Sequence, residues 1–369
     1  MRARIPMFIA VVQSILLLVH LFLYETWIFF WGTMGAPWIL VFRVTMLLLS
    51  VSFVGASLLA YRNYSFPVRL LYTLSALWLG LVNFLFLAAC SCWVVYVISR
   101  IFGARLDSRV LTIVFLLSAL LTSLYGFANT SLVRVKKISV ALPNLPASWR
   151  GRTAAMVSDL HLGHVRNSRF IRRIIGMLVR LTPEAVFISG DLYDGTAADI
   201  EGLAEPWAQL SAPLGVYFIT GNHEEFSDQS KYLQALKRSG VFILNNEKIV
   251  VDGLQVVGVH YRESVNEQGY RSILNRVGLD RGIASILLLH EPRHLPIAEE
   301  AGISLQPSGH THRGQFFPFT RIVSRIWRQY AYGLQRYGNL FVYISCGAGT
   351  WGPPMRVGTT PEIVLIHFE

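Results

Sequence analysis

The chain has 369 residues, 53% of them hydrophobic and 15% charged, with a formal net charge of +11, so it is long enough for two ordinary domains but unusually apolar for a soluble protein. Residues 1–137 hold eleven cations against two acids, a net +9, which leaves +2 for the rest; the basic balance belongs to the apolar front and marks no nucleic-acid groove. The three cysteines are Cys90 and Cys92, in an apolar run where they read as packing residues, and a lone Cys346; they imply no disulfide framework and force no oxidising compartment.

The first apolar run, 5–31, exceeds a signal-peptide core and lacks a small-residue cleavage site followed by polar sequence. Runs at 37–61, 66–90 (extending towards Ile98) and 110–128 follow, each near the roughly twenty residues that cross a bilayer. Trp27, Trp31, Trp38, Tyr61, Tyr64, Trp93, Tyr96 and Tyr125 cluster near the ends, as interfacial belts do. Residues 1–131 are therefore expected to be an all-α transmembrane domain of four helices. Arg2, Arg4, Arg62, Arg69, Arg134, Lys136 and Lys137 fall on one side, and Arg43, Arg100, Arg105 and Arg109 on the other. The excess predicts a cytoplasmic N-terminus, and four crossings return the remainder of the chain to the cytoplasm. Glu25 and Arg43 sit near span ends, where their side chains can reach the interface, so the domain reads as an anchor.

A strand and short linker occupy 132–149, which keeps the following domain close to the bilayer. From 150 to 369, strand-like and helical stretches alternate. Ser168–Leu181 carries apolar residues at helical spacing and ends before Pro183; 230–239 and 266–277 read as further helices. Glu247–Val251 and 254–259 are joined by Asp252-Gly253, a hairpin signal, and 340–345 and Glu362–Phe368 are β. The expected fold is a mixed-sheet α/β sandwich behind the transmembrane helices.

Five strand-like runs in this half each end on Asp, Asn or His. Thr153–Val157 leads to Asp159-Leu160-His161, and 185–188 leads to Gly190-Asp191 with Asp194 three residues on. The run at 216–220 leads to Gly221-Asn222-His223-Glu224, 283–289 to His290, and 303–305 to Gly309-His310-Thr311-His312. Strand ends are where ligands collect in open α/β sheets, and a carboxylate such as Asp191 can bridge two divalent cations with its two oxygens. This is the pattern of a two-metal hydrolase. If Asn222 ligates, His223 beside it cannot easily do so; it can face a substrate instead and protonate a leaving oxygen, with Asp194 orienting its ring. Asp199, Glu224, Glu225 and Glu291 read as turn or supporting residues, and His260 and His294 as ordinary ones.

In this order the five motifs resemble the calcineurin-like metallophosphoesterase superfamily over about 150–369. The stretch 309–315, with Tyr332-Gly333-Leu334 and Gly349-Thr350-Trp351-Gly352-Pro353-Pro354-Met355-Arg356, resembles its membrane-anchored bacterial phosphodiesterases, except that Arg313 stands where that subgroup has glycine. The resemblance implies one metal on Asp159, His161, His312 and Asp191, and a second on Asn222, His290, His310 and Asp191. Mixed imidazole and oxygen donors suit Mn, Fe or Zn. Two such ions clamp a phosphate, and a hydroxide between them attacks phosphorus in line.

Immediately after the last motif, 316–337 carries Arg321, Arg325, Arg328 and Arg336, seven aromatics and no acid. A basic, aromatic face suits an anionic membrane interface, and His164, Arg313, Arg321, Arg325 and Trp327 are the candidate substrate or interface residues. The expected activity is hydrolysis of a phosphodiester or diphosphate on a lipid-linked molecule, such as a nucleotide-activated glycolipid, with the bilayer as partner and no nucleic acid. Two alternatives stand beside it: an exported phosphodiesterase acting on cell-envelope polymers, and a catalytically silent membrane scaffold that binds a phosphorylated ligand.

Overall fold

The computed structural model describes residues 4–32 and 35–369; Arg2, one of the cations weighed for topology, lies outside them. The chain forms two compact units, Met1–Ala128 with Gly352–Met355, and Asn129–Trp351 with Arg356–Glu369.

The first unit is built from α1 (Arg4–Trp31), α2 (Ala36–Ala60), α3 (Phe66–Ile101) and most of α4 (Ser108–Asn129). All four helices are long and apolar enough to cross a bilayer. Prolines at the first turns of α2 and α3 cost no helical hydrogen bond there. The third apolar run proves longer than expected: α3 continues as one unbroken helix for 36 residues. Its indoles tie it to α1, Trp78 Nε1 donating to His20 Nε2 and Trp93 Nε1 to Thr26 Oγ1, both at 2.9 Å. Hydrogen bonds of this kind hold helices together where lipid supplies no hydrophobic drive. Glu25 and Arg43 both lie on exposed faces, and Arg43 Nε donates to Tyr24 Oη at 2.7 Å.

The second unit runs β1 (Arg134–Val140), β2 (Thr153–Val157), α5 (Ser168–Leu181), β3 (Ala185–Ser189), α6 (Ile200–Ala204), β4 (Val216–Ile219), α7 (Ser230–Arg238) and β5 (Val241–Ile243). It continues with β6 (Glu247–Val251), β7 (Leu254–Gly258), α8 (Tyr261–Val265), α9 (Glu267–Arg276), β8 (Ser285–Leu288), α10 (Leu295–Glu300) and β9 (Leu305–Ser308). The last elements are α11 (Phe319–Trp327), β10 (Gly333–Tyr337), β11 (Leu340–Ile344) and β12 (Glu362–Phe368). Two six-stranded sheets result, ordered β1-β12-β2-β3-β4-β5 and β10-β11-β9-β8-β7-β6. Each has a parallel centre, β2 to β5 in one and β7-β8-β9-β11 in the other, with antiparallel pairings outside it at β12-β2, β6-β7 and β10-β11.

Alternation within the strands decides how the layers stack. In β3, Val186 and Ile188 face one way, into Ile171, Ile174 and Leu178 of α5, while Ala185 and Phe187 face the other sheet. Phe187, Met156 and Ile219 from one sheet meet Ile286, Leu288, Leu305 and Tyr343 from the other. A third cluster packs β7, β8 and β11 against α9 and α10. The fold is therefore the expected mixed α/β sandwich, helices outside and sheets facing each other. The Asp252-Gly253 turn has φ of 46° and 87°, the left-handed pair that a two-residue hairpin needs. One strand shifts: the run expected at 303–305 forms β9 at Leu305–Ser308, which leaves only Gly309 between the strand end and His310.

Candidate metal centre

The parallel strands deliver the motif residues to one edge of the sandwich. Asp159 and His161 follow β2, Asp191 follows β3, Asn222 and His223 follow β4, His290 follows β8, and His310 and His312 follow β9. Two backbone bonds lock the first loops together: Asp159 N–H donates to Gly190 O and His161 N–H to Asp191 O, both at 3.1 Å. The glycines of the motifs are required by close approach. A Cβ on Gly221 would stand 2.2 Å from Asp191 Oδ1, and one on Gly309 would stand 2.2 Å from Asp159 Oδ2. Backbone strain also gathers here, since Asp159, His161, Asp191, His310 and His312 all have φ between 45° and 70°. Non-glycine residues hold that conformation only where the surroundings enforce it.

The side chains converge in two groups. In the first, His161 Nε2 lies 2.9 Å from His312 Nε2, and His312 Nε2 lies 3.4 Å from Asp159 Oδ1. In the second, Asp191, His290 and His310 each offer an atom within 4.8 Å of the others, and His310 Nδ1 lies 3.0 Å from Asn222 Oδ1. Asp191 Oδ2 faces both groups, 3.2 Å from His290 Nε2 and 3.8 Å from His161 Nε2. Its other oxygen accepts the His223 backbone N–H at 2.9 Å, which fixes the carboxylate plane.

The hydrogen bonds behind these atoms suit metal ligation. His290 Nδ1 donates to Ser189 O at 2.8 Å, leaving a lone pair on Nε2, a buried atom with no hydrogen-bond partner that points at a carboxylate oxygen. Either a proton or a cation has to lie between them. His310 Nε2 meets Glu291 Oε1 at 3.2 Å, which turns its Nδ1 lone pair towards Asn222 Oδ1. His161 Nδ1 lies 3.3 Å from Asp194 Oδ1, a carboxylate behind an imidazole. The residues present thus fit a pair of divalent ions.

Electrostatics divide the imidazoles. Burial works against a charged His290, but Asp191 and Asp159 outweigh it and hold its pKa at about 10. Burial is likewise outweighed at His161, by Asp194, Asp191 and Asp159. Burial, with the charges of His161 and Arg356 added, keeps His312 well below the ordinary range. Burial also depresses His310 and His223. A cation would bind the neutral imidazoles through their free lone pairs and would displace the extra proton from those poised against carboxylates.

The expected Asp194–His223 pairing takes a different form. His223 Nδ1 donates to the backbone carbonyl of Asp194 at 3.0 Å, while the Asp194 carboxylate lies 3.5 Å from His223 and slightly nearer to His161. With Nδ1–H committed to the carbonyl, proton exchange falls to Nε2. His164 is buried with its Nδ1 3.2 Å from Thr196 Oγ1. Arg313 stands in the left-handed region at φ 50° and lays its guanidinium 4.8 Å over the Tyr332 ring. Trp327 reaches the centre, its ring 6.0 Å from that of His310, whereas Arg321 and Arg325 lie on the exposed side of α11.

Two features were not assigned from the sequence, and a third was read only in outline. Phe226 and Trp351 flank His223, with ring centroids 4.7 and 5.9 Å away. Arg356 is fully buried and donates to the carbonyls of Cys346 and Gly349, both at 2.6 Å, behind His312. Glu224, expected only as a supporting residue, accepts from the backbone N–H of Asp191, Tyr193 and Gly221, clasping the β3 and β4 loops. Aromatic residues late in a glycine-rich stretch were the available signal for Trp351; nothing local marks Phe226.

Comparison with known proteins bears on the family. Residues 153–314, from the start of β2 through His312, match the calcineurin-like phosphoesterase family. An uncharacterized metallophosphoesterase of Campylobacter jejuni is 30% identical over 269 residues, covering 70% of this chain and 71% of that one. One from Aquifex aeolicus is 28% identical over 258 residues, covering 68% and 97%. A Danio rerio protein described as a transmembrane protein with a metallophosphoesterase domain is 30% identical over 274 residues, and there the chain spans 62% of its relative. The relatives are thus animal as well as bacterial, broader than the bacterial subgroup expected. A family match containing all five motifs, with a relative aligned across more than two thirds of both lengths, fixes the descent: this chain belongs to the calcineurin-like phosphoesterase family of metal-dependent phosphoester hydrolases.

Proposed function

We propose that the chain is a membrane-anchored, dinuclear phosphodiesterase or pyrophosphatase acting on a lipid-linked phosphodiester or diphosphate. Asp159, His161 and His312 would hold one ion and Asn222, His290 and His310 the other, with Asp191 the residue shared between them. The observation that carries this reading is the single Asp191 oxygen facing an imidazole of each group. Bound there, Mn, Fe or Zn supplies the positive charge that clamps a phosphoryl group and acidifies a water. The protein's own part is orientation and proton transfer. His223, its Nδ1–H held by the Asp194 carbonyl, takes a second proton from solvent at Nε2 against the cost of burial and hands that proton to the leaving oxygen, while Asp194 steadies His161 from behind.

A lipid-linked substrate is supported by four apolar helices in the same chain and by Trp327 beside His310. Arg313 and His164 are the further candidates for phosphate contact, and a nucleotide-activated glycolipid is one molecule with the required parts. The cation count of the short loops favours a catalytic unit on the cytoplasmic side, and protease protection of a tag placed after Lys137 separates this from an exported enzyme acting on envelope polymers.

The test is Asp191→Asn. Hydrolysis of bis-p-nitrophenyl phosphate in Mn²⁺ is expected to vanish while the circular dichroism spectrum is kept. Undiminished turnover by a folded Asp191→Asn protein would rule out a bridging carboxylate.

A further inference from the structure

We propose that α11 is an interfacial helix that seats on the anionic headgroup layer of the membrane its own chain spans, and so opens the metal centre onto that surface. The inference rests on the reading of α1 to α4 as membrane spans and is independent of the phosphoesterase chemistry.

The helix has no core to belong to. None of its nine residues is buried, and Phe319, Ile322 and Ile326, spaced by three and four, form a ridge in which Ile326 is 68% exposed. Thr320, Val323 and Trp327, at the same spacing one position on, turn the other edge of the helix partly inward. Arg321 and Arg325, one turn apart, flank the exposed ridge on its outer side. An apolar ridge beside a stripe of arginines is the form of a helix that lies in a membrane interface, apolar side chains at the acyl boundary and cations at the phosphates.

Charge selects the occupant. No Asp or Glu occurs between Glu300 and Glu362, an interval that contains Arg313, Arg321, Arg325, Arg328, Arg336 and Arg356. A second copy docking symmetrically through this face would set arginine against arginine. An anionic bilayer meets the same face with opposite charge.

Chain connectivity links the last apolar helix to the segment that carries α11. Asn129, the last residue of α4, donates through Nδ2 to Arg356 O at 3.0 Å and to Thr359 O at 2.9 Å, and Arg134 N–H donates to Pro361 O at 2.9 Å. The same loop supports the base of α11. Thr359 Oγ1 donates to Gln315 O at 2.6 Å, Phe316 bridges to Val357, and a Cβ on Gly358 would stand 3.8 Å from Thr320 Cγ2. The end of the last apolar helix and the start of α11 are therefore tied to one stretch of six residues, 356–361. At the other end of α11, Trp327 lies beside His310.

The experiment is hydrogen exchange of the full-length chain in nanodiscs of pure phosphatidylcholine or of equal parts phosphatidylcholine and phosphatidylglycerol. Amides of 320–328 are expected to exchange about tenfold more slowly in the anionic discs, because seating suppresses local opening of an otherwise uncovered helix. Reversing two charges, Arg321→Glu with Arg325→Glu, is expected to remove the difference. Equal exchange of the wild-type protein in both discs overturns the proposal without any variant. Slowing that instead follows protein concentration in detergent also overturns it, in favour of a second copy of the chain.

Discussion

At the residue scale, the site consists of donor atoms held in place by partners on the far side of each ring. His290 is set by Ser189 O, His310 by Glu291, His161 by Asp194 and His223 by the Asp194 carbonyl. Under the proposed function this arrangement sets His223, the proposed proton donor, apart from the proposed ligands. His223→Ala is expected to lower kcat on an alkyl phosphodiester about 10²- to 10⁴-fold. The loss should shrink for p-nitrophenyl esters, whose leaving group needs no proton. Equal losses on both ester classes, measured with metal in excess, would refute a leaving-group role. The ligand-type residues were legible because each sits in a short motif at a strand end. Phe226 and Trp351 were not, because their neighbourhood with His223 depends on loops far apart in the chain. The left-handed conformation of Arg313 was foreshadowed only by the missing glycine.

At the scale of elements, burial on both faces explains why the central strands read as continuous apolar runs and why their ends could be located. Phe187 is fully buried between the sheets, in the strand whose end carries Asp191. Phe187→Ala is expected to cost about 3–5 kcal/mol through the cavity it leaves. A thermal melt of the purified protein checks this, and an unchanged midpoint would contradict the packing described. Helical periodicity marked α5 correctly, down to its stop: Thr182 takes φ 45° just before Pro183. Periodicity could not reveal that β1 pairs in parallel with β12, Arg134 opposite Glu362, since that pairing joins opposite ends of the second unit. Nor could it fix the end of α3, where apolar sequence runs on past the length a bilayer needs.

At the scale of the whole molecule, composition already divided the chain. The apolar front became four long helices and the motif-bearing remainder became the two-sheet sandwich. The basic, aromatic composition of 316–337 was legible in the sequence, but the exposed ridge of α11 becomes apparent only once the helix is seen to bury none of its residues. The claim beneath all of this is that Asp191 serves two ions at once. Metal content per chain, by plasma mass spectrometry on wild-type and Asp191→Asn protein purified in parallel, tests it most directly. The expected result is two transition-metal ions per wild-type chain, falling to one or none in the variant; a variant that keeps both ions, or an active wild-type chain that carries only one, would contradict it.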